Sequence, residues 1–375
     1  MYIVGTVAHA LGMNLKKLII SKSAIRNARV RIRKQECERI KELFENAPIT
    51  YLIVHWDGKL IPDDIQCKKI DRLPIIVSTE NLSKFIAVPA LDNGCGLTIA
   101  SAVYAALKEW GASDLTVGLC CDTTAANFGY KGGASPILEQ LLGKDLVYLA
   151  CRHHVLEILL SAAFQVKVPG TSGPNVAIFK RFQNKWDDID KSLFRDGLSD
   201  LDPQLKEEIP GVVSFIKTYL EKQQHRSDYK ELLWLSLAFL GEAPEMKFKR
   251  PRACHHAKWM SKAIYSLKMY LCRDPFGLKK TEIENFKCIC QFIVFVYLKP
   301  WYTSTLAIAA PNNDLNLIKS LLNYKVIDES IAEVALQKLK NYLWYLVSDF
   351  CQLLNPRLKC RMALITLEMK NGNLS

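Results

Sequence analysis

The chain has 375 residues, 49% of them hydrophobic, and a formal net charge of +12. That is enough apolar material for a substantial core and for two or three domains, which excludes a chain too polar to fold. Twelve cysteines are too sparse for a disulfide scaffold, and the apolar runs Leu232–Leu240 and Cys288–Leu298 fall well short of the roughly 18–20 residues that span a bilayer. The expectation is an intracellular, soluble protein with free thiols and no membrane partner.

Residues 1–50 hold ten Lys/Arg against four Asp/Glu. Residues 14–47 read as a helix, capped near Ser23, in which Ile25, Ala28, Ile32, Ile40, Leu43 and Phe44 recur at about 3.6-residue spacing. Arg26, Arg29, Arg31 and Arg33 decorate its surface. The period then switches. Tyr51–Ile61 reads as a strand or hairpin arm, and Leu73–Thr79 and Lys84–Pro89 are strands rich in Ile and Val. A Gly94–Gly96 turn leads to a helix over Thr98–Trp110. Strand Leu115–Cys121, helix Pro136–Leu142, strand Leu146–Ala150 and helix His153–Phe164 follow. Three strands followed by alternating β/α units describe an α/β fold, a mixed sheet with helices on its faces, in the order of an RNase H-like core.

After the loop Gly170–Pro174 the texture turns helical, with periodic stretches at Val176–Trp186, Gln204–Gln224, Tyr229–Leu240, Lys258–Leu271, Lys280–Leu298, Asp314–Leu322 and Glu329–Leu353. The division expected is a basic helical segment (1–48), the first part of the core (49–165), a large all-α insertion (166–328) and a C-terminal helix completing the core (329–375). Within the insertion, residues 247–262 carry six Lys/Arg and no acid. Two concentrated basic segments on an otherwise neutral chain point to a polyanionic partner, DNA first. The alternative is a pair of solvated basic helices.

The residues that carry chemistry stand where apolar runs end. Tyr51–Trp56 delivers Asp57 in HWDGK, and Leu115–Cys121 delivers Asp122 in DTTAAN. Two aspartates at the ends of adjacent parallel strands would repel and raise each other's pKa. A pair of Mg²⁺ ions about 3.5–4 Å apart removes that penalty and clamps the attacking and leaving oxygens of a phosphodiester. Hard carboxylate oxygens suit Mg²⁺ or Mn²⁺, so two such ions are the expected cofactor. The bland alternative is that each aspartate caps the turn after its strand.

The segments DTTAAN and ACRHHVLEILL resemble the hAT superfamily of DNA transposases, and HWDGK, DTTA and ACRHH together resemble a little-characterised group of transposon-derived animal proteins. The likeness covers residues 49–164 best, with weaker echoes to residue 350. It implies an RNase H-like catalytic core, Asp57 and Asp122 as the first two metal-binding acids, and Cys151 and His154 as a C-x-x-H motif opening a helix. The resemblance further implies a third acid after the insertion. Asp349 in LWYLVSDF takes that place where the family has glutamate, and Glu333 is a fallback. The family's tryptophan after a basic residue, thought to stack beside DNA, is matched by Lys258-Trp259; a core tryptophan is the alternative.

Further candidates are His154, beside the carboxylates and orienting a phosphate, and Lys131, Arg152, Arg250, Arg252 and Lys258 as DNA contacts. Cys151 and His154 with Cys254 and His255 invite a structural zinc, but adjacent histidines ligate one ion poorly, so zinc is not expected. Phosphate-loop, dinucleotide and serine-hydrolase signatures are absent. The function expected is Mg²⁺-dependent DNA cleavage and strand transfer, in a nuclear setting, by Asp57, Asp122 and Asp349, with a homo-oligomer allowed. The alternative is a domesticated or decayed relative that binds nucleic acid or protein without catalysis.

Overall fold

The computed structural model describes residues 2–14, 21–62, 69–169, 176–222, 226–242, 248–251 and 260–343. The fold is mixed α/β. A helix α1 (Tyr2–Ala10), not expected from sequence, precedes α2 (Lys22–Glu45). The described part of α2 starts at Lys22, where the Ser21 hydroxyl accepts the Ala24 N–H at 3.0 Å. Ser21 rather than Ser23 is thus the cap, which satisfies a first-turn N–H that the helix itself cannot. Phe44 is the one buried residue of α2. It packs edge-on to Trp110 at 5.5 Å, and Lys41 reaches Glu109 at 2.6 Å.

The strands are β1 (Leu52–Trp56), β2 (Lys59–Pro62), β3 (Lys69–Arg72), β4 (Ile75–Ser78), β5 (Ser83–Ala87) and β6 (Ala90–Leu91), then β7 (Thr116–Cys121) and β8 (Val147–Ala150). Between β6 and β7 runs α3 (Gly96–Glu109). The one-turn α4 (Ala125–Phe128) and α5 (Ala134–Leu142) separate β7 from β8. One sheet has the order β5-β4-β1-β7-β8 and a smaller one the order β2-β3-β6. The single strand or hairpin arm expected over residues 51–61 is therefore two strands in two sheets, broken at Asp57-Gly58.

In the larger sheet β1–β4 and β4–β5 are antiparallel. The Leu52 N–H bonds the Leu115 carbonyl where β1 and β7 begin, and the Cys151 N–H bonds the Cys121 carbonyl where β7 and β8 end. Those bonds run β1, β7 and β8 the same way, so the sheet is mixed and their carboxyl ends share an edge. Gly118 of β7 permits close packing. A Cβ there would stand 2.9 Å from both Ile53 Cδ1 and the Val147 carbonyl.

Contacts gather the chain into two compact units, residues 1–119 with 124–147, and residues 120–123 with 148–375. The first unit buries Leu52, Val54, Trp56, Ile75 and Val77 of the sheet and Ile99, Val103 and Leu107 of α3. The α3 face repeats near 3.6 residues, as read from sequence.

The second unit is helical: α6 (Arg152–Lys167), α7 (Ala177–Lys185), α8 (Ile209–Glu221), α9 (Ser227–Phe239), α10 (Met260–Leu271), α11 (Arg273–Phe276), α12 (Lys280–Phe292), α13 (Leu298–Thr303), α14 (Ala310–Tyr324) and α15 (Glu329–Lys340). The one long helix expected over residues 280–298 is interrupted by a π turn at Ile293–Tyr297, which separates α12 from α13. The core includes Phe164, stacked edge-on to Phe179 at 5.5 Å and Phe286 at 6.2 Å. Helix α15 packs along α6 and α14. No described helix is long and apolar enough to cross a membrane.

Candidate functional site

Strand β1 is LIVHW, and four of its five residues are buried. Bulky and β-branched residues suit a strand flanked on both sides by neighbours. The apolar run stops at Trp56, and Asp57 is exposed immediately after it. Strand β7 ends in the same manner, and Asp122, half-buried, follows Cys121. Each aspartate therefore stands at the carboxyl end of a strand, where open α/β sheets present their ligand-binding residues. Beyond Asp57 the chain turns into the smaller sheet. There the Asp71 carboxylate lies within van der Waals reach of two glycines: a Cβ on Gly58 would stand 3.6 Å from one of its oxygens, and a Cβ on Gly94 3.8 Å from the other. Asp71 was not singled out from the sequence.

The segment after Asp122 is anchored. The Trp56 indole N–H donates to Asn127 Oδ1 at 2.8 Å, and both residues are buried. Behind Asn127 the backbone is crowded. A Cβ on Gly133 would lie 2.5 Å from the Gly129 nitrogen and 2.7 Å from the Asn127 carbonyl, and a Cβ on Gly96 would lie 2.0 Å from the Gly132 carbonyl. Gly129 and Gly133 of NFGYKGG thus serve close backbone packing rather than a phosphate loop. Tyr130 and Lys131, at the tip, are exposed. Lys131 is therefore free to face solvent, as its expected role requires.

Cys151 is the N-cap of α6 but makes no side-chain cap bond. Its thiol instead meets Cys120. A hydrogen bond from Cys120, helped by His153 and the His154 N–H, draws the Cys151 thiol well below its ordinary pKa against the effect of burial. The same bond and burial push Cys120 up. A sulfur held in this way is a soft donor and suits neither Mg²⁺ nor Mn²⁺.

Arg152, expected as a DNA contact, faces inward instead. Its guanidinium pairs with Asp314 of α14 at 3.0 Å, with both side chains 4% exposed, and its Nη1 donates to the Ala150 carbonyl at 2.9 Å. A guanidinium enclosed with its own counter-ion is not available to a phosphate. His153 Nε2–H donates to the Trp301 carbonyl at 2.9 Å, with the two rings 4.4 Å apart. His154 is half-buried, and its Nδ1 stands 3.8 Å from a carboxylate oxygen of the buried Glu157, one turn along α6. The catalytic role expected of His154 would thus be exercised from a position backed by an acid. Asp314, Glu157 and Trp301 were not identified from the sequence, since their partners lie on other turns or other helices.

Among the described residues, no three His, Cys, Asp or Glu side chains gather into a metal-holding group. Asp349, the third expected ligand, lies outside the described residues, as do Arg252, Lys258, Trp259, Cys254, His255 and His256. Glu333, the fallback, is on α15 and pairs with Lys325 at 3.2 Å. Arg250 is exposed and pairs with Asp187 at 3.0 Å. On α2, Arg26, Arg29, Arg31 and Arg33 are all exposed. The acids of α2 lie in its second half, where Glu36 takes Arg39 and Glu38 takes Lys34. The first half is therefore a concentrated cationic surface. A groove of about 300 Å³ elsewhere in the helical unit, lined by residues such as Glu208, Phe295 and Asn323, contains none of the expected site residues.

No protein-family model matches the chain, and no curated protein matches it.

Proposed function

We propose that the chain is a transposon-derived protein with an RNase H-like core whose ancestral reaction is divalent-metal-dependent cleavage and transfer of DNA strands. One observation carries the reading. Asp57 and Asp122 each terminate a strand, and those strands are parallel neighbours in a mixed sheet. Carboxylates so presented fit hard cations, and Asp349 is the proposed third ligand. Bound Mg²⁺ or Mn²⁺ would offset the mutual repulsion of the acids and stabilise charge on a phosphodiester as water, and then a 3′-hydroxyl, attacks. The chain's own part is to hold the acids, to keep His154 near the cleaved bond with Glu157 behind it, and to grip phosphates through the arginines of α2. A DNA substrate implies a nuclear setting.

A second reading has its own support. Aspartate in place of the third glutamate shortens that side chain by one methylene, while the cationic half of α2 needs no catalysis to bind a polyanion. On this reading the chain is a decayed or domesticated nucleic-acid-binding protein.

A nicking assay on branched and hairpin DNA with Mg²⁺ or Mn²⁺ separates the two. The first reading expects nicking by the wild type and its loss in Asp122→Asn. Nicking that survives Asp122→Asn contradicts it. Salt-sensitive binding without nicking selects the second reading.

A further inference from the structure

Two sulfurs and an imidazole meet at the amino end of α6. Cys120 and Cys151 both belong to the second compact unit, and both are free thiols. The Cys120 thiol donates a hydrogen bond to the Cys151 sulfur, and the His153 ring hydrogen-bonds the same sulfur. His153 is itself held in place. Its Nε2–H donates to the Trp301 carbonyl at 2.9 Å, and its ring lies 4.4 Å from the buried Trp301 indole. Cys151 also stands at the start of a helix of 16 residues, whose dipole favours negative charge on the sulfur. Sulfur, imidazole and a third group that orients the imidazole follow one another as in an activated nucleophile. The two cysteines differ in access: Cys120 is 8% exposed and Cys151 half-buried, so a small reagent reaches Cys151 first.

We infer that Cys151 is a hydroperoxide-reactive thiol and Cys120 its resolving partner, the pair closing to a disulfide on oxidation. With hydrogen peroxide, the Cys151 thiolate attacks one oxygen. An S–O bond forms, the O–O bond breaks, and the departing hydroxide takes a proton from solvent and leaves as water. The Cys120 sulfur then attacks the Cys151 sulfenic acid. The S–S bond forms, the S–O bond breaks, and the Cys120 proton departs with the hydroxyl as a second water. Two electrons pass from the sulfurs to the peroxide. Only a thiolate is nucleophilic enough for the first step, and the bonds to Cys151 that hold its pKa below the ordinary value supply one. Sulfurs already in hydrogen-bond contact need little movement to reach a disulfide length of about 2.05 Å. A low-pKa cysteine beside a second thiol is the arrangement that oxidises reversibly. Neither step uses a divalent cation, so the inference stands apart from the proposed metal chemistry.

The test treats the native full chain with hydrogen peroxide, alkylates the remaining thiols and maps the digest by mass spectrometry. A peptide pair linked through Cys120 and Cys151 should appear ahead of any loss of Cys37, which is exposed and which access alone would favour. Cys120→Ser should leave the Cys151 sulfenic acid unresolved, so that dimedone captures it. His153→Phe keeps a ring but no hydrogen-bonding group, and should slow formation of the disulfide about tenfold. Cys151 that is still reduced once Cys37 has been consumed overturns the inference, and that result needs no variant. So does a disulfide between Cys151 and any cysteine other than Cys120. A wild-type rate in His153→Phe, with the chain folded by circular dichroism, overturns the activated thiol.

Discussion

Arg152 at the start of α6 and Arg26, Arg29, Arg31 and Arg33 on the first half of α2 occupy opposite environments. Arg152 is enclosed with Asp314, and each side chain is 4% exposed at a separation of 3.0 Å. The four arginines of α2 are exposed, and none of them is in an ion pair among the described residues. The first setting converts positive charge into architecture, because a buried ion cannot lose its partner cheaply. The second leaves it available to a polyanion, where its worth depends on salt. Lys167 and Asp328 stand between these extremes, 2.6 Å apart with side chains 19% and 8% exposed. Burial, rather than the presence of a basic residue in a motif, decides which role a cation takes.

Removing the most buried cation should therefore cost most. Arg152→Met removes the buried guanidinium that pairs with Asp314 and should lower unfolding free energy by about 3–5 kcal/mol in denaturant titration. Pairing it with Asp314→Leu should restore most of that loss, since no isolated charge remains. A loss below about 1 kcal/mol in the single variant would show that the pair behaves like a surface ion pair.

The intermediate case is Asp328, which also caps α15 by accepting the Ile331 N–H at 3.1 Å. Asp328→Ala should cost about 1–2 kcal/mol at pH 7. Burial opposes ionisation of Asp328, but hydrogen bonds from Lys167, Ser330 and the Ile331 N–H together hold its carboxyl below the usual value. A depressed carboxylate stabilises fully above its unfolded pKa, about 4, and that contribution is lost as pH falls through the lower folded value. The stability gap between wild type and Asp328→Ala should thus be full at neutral pH and narrow in acid. A gap that is constant from pH 7 to pH 3 would contradict the assignment.

The smallest effect on folding should come from α2. Replacing Arg26, Arg29, Arg31 and Arg33 with glutamine should change stability by no more than about 0.5 kcal/mol. On a DNA duplex, the salt dependence of binding should flatten by about 0.9 in log–log slope for each phosphate contact removed. An unchanged slope would remove α2 from the interface.

The larger sheet was legible in the sequence because β1, β4, β7 and β8 are apolar runs with sharp ends. Asp57 and Asp122 were legible for the same reason, as each is the first charge after such a run. The smaller sheet was hidden: β3 is KIDR, in which charge masks the strand pattern, and β6 has only two residues. The π turn was hidden too, since CICQFIVFVYL is apolar at every helical period. Asn127 was visible as a spacing after Asp122, but its partner Trp56 was not, because nothing local links an indole to a distant amide. The inward turn of Arg152 was equally out of reach, since Asp314 stands far along the chain on α14.

The central proposal is that Asp57 and Asp122 both bind a divalent cation, and Mn²⁺ binding to the chain tests it most directly. Wild type should bind saturably, while Asp57→Asn and Asp122→Asn, which remove charge and keep shape, should each weaken binding about tenfold or more. Binding of equal strength in the wild type and both variants would contradict the account.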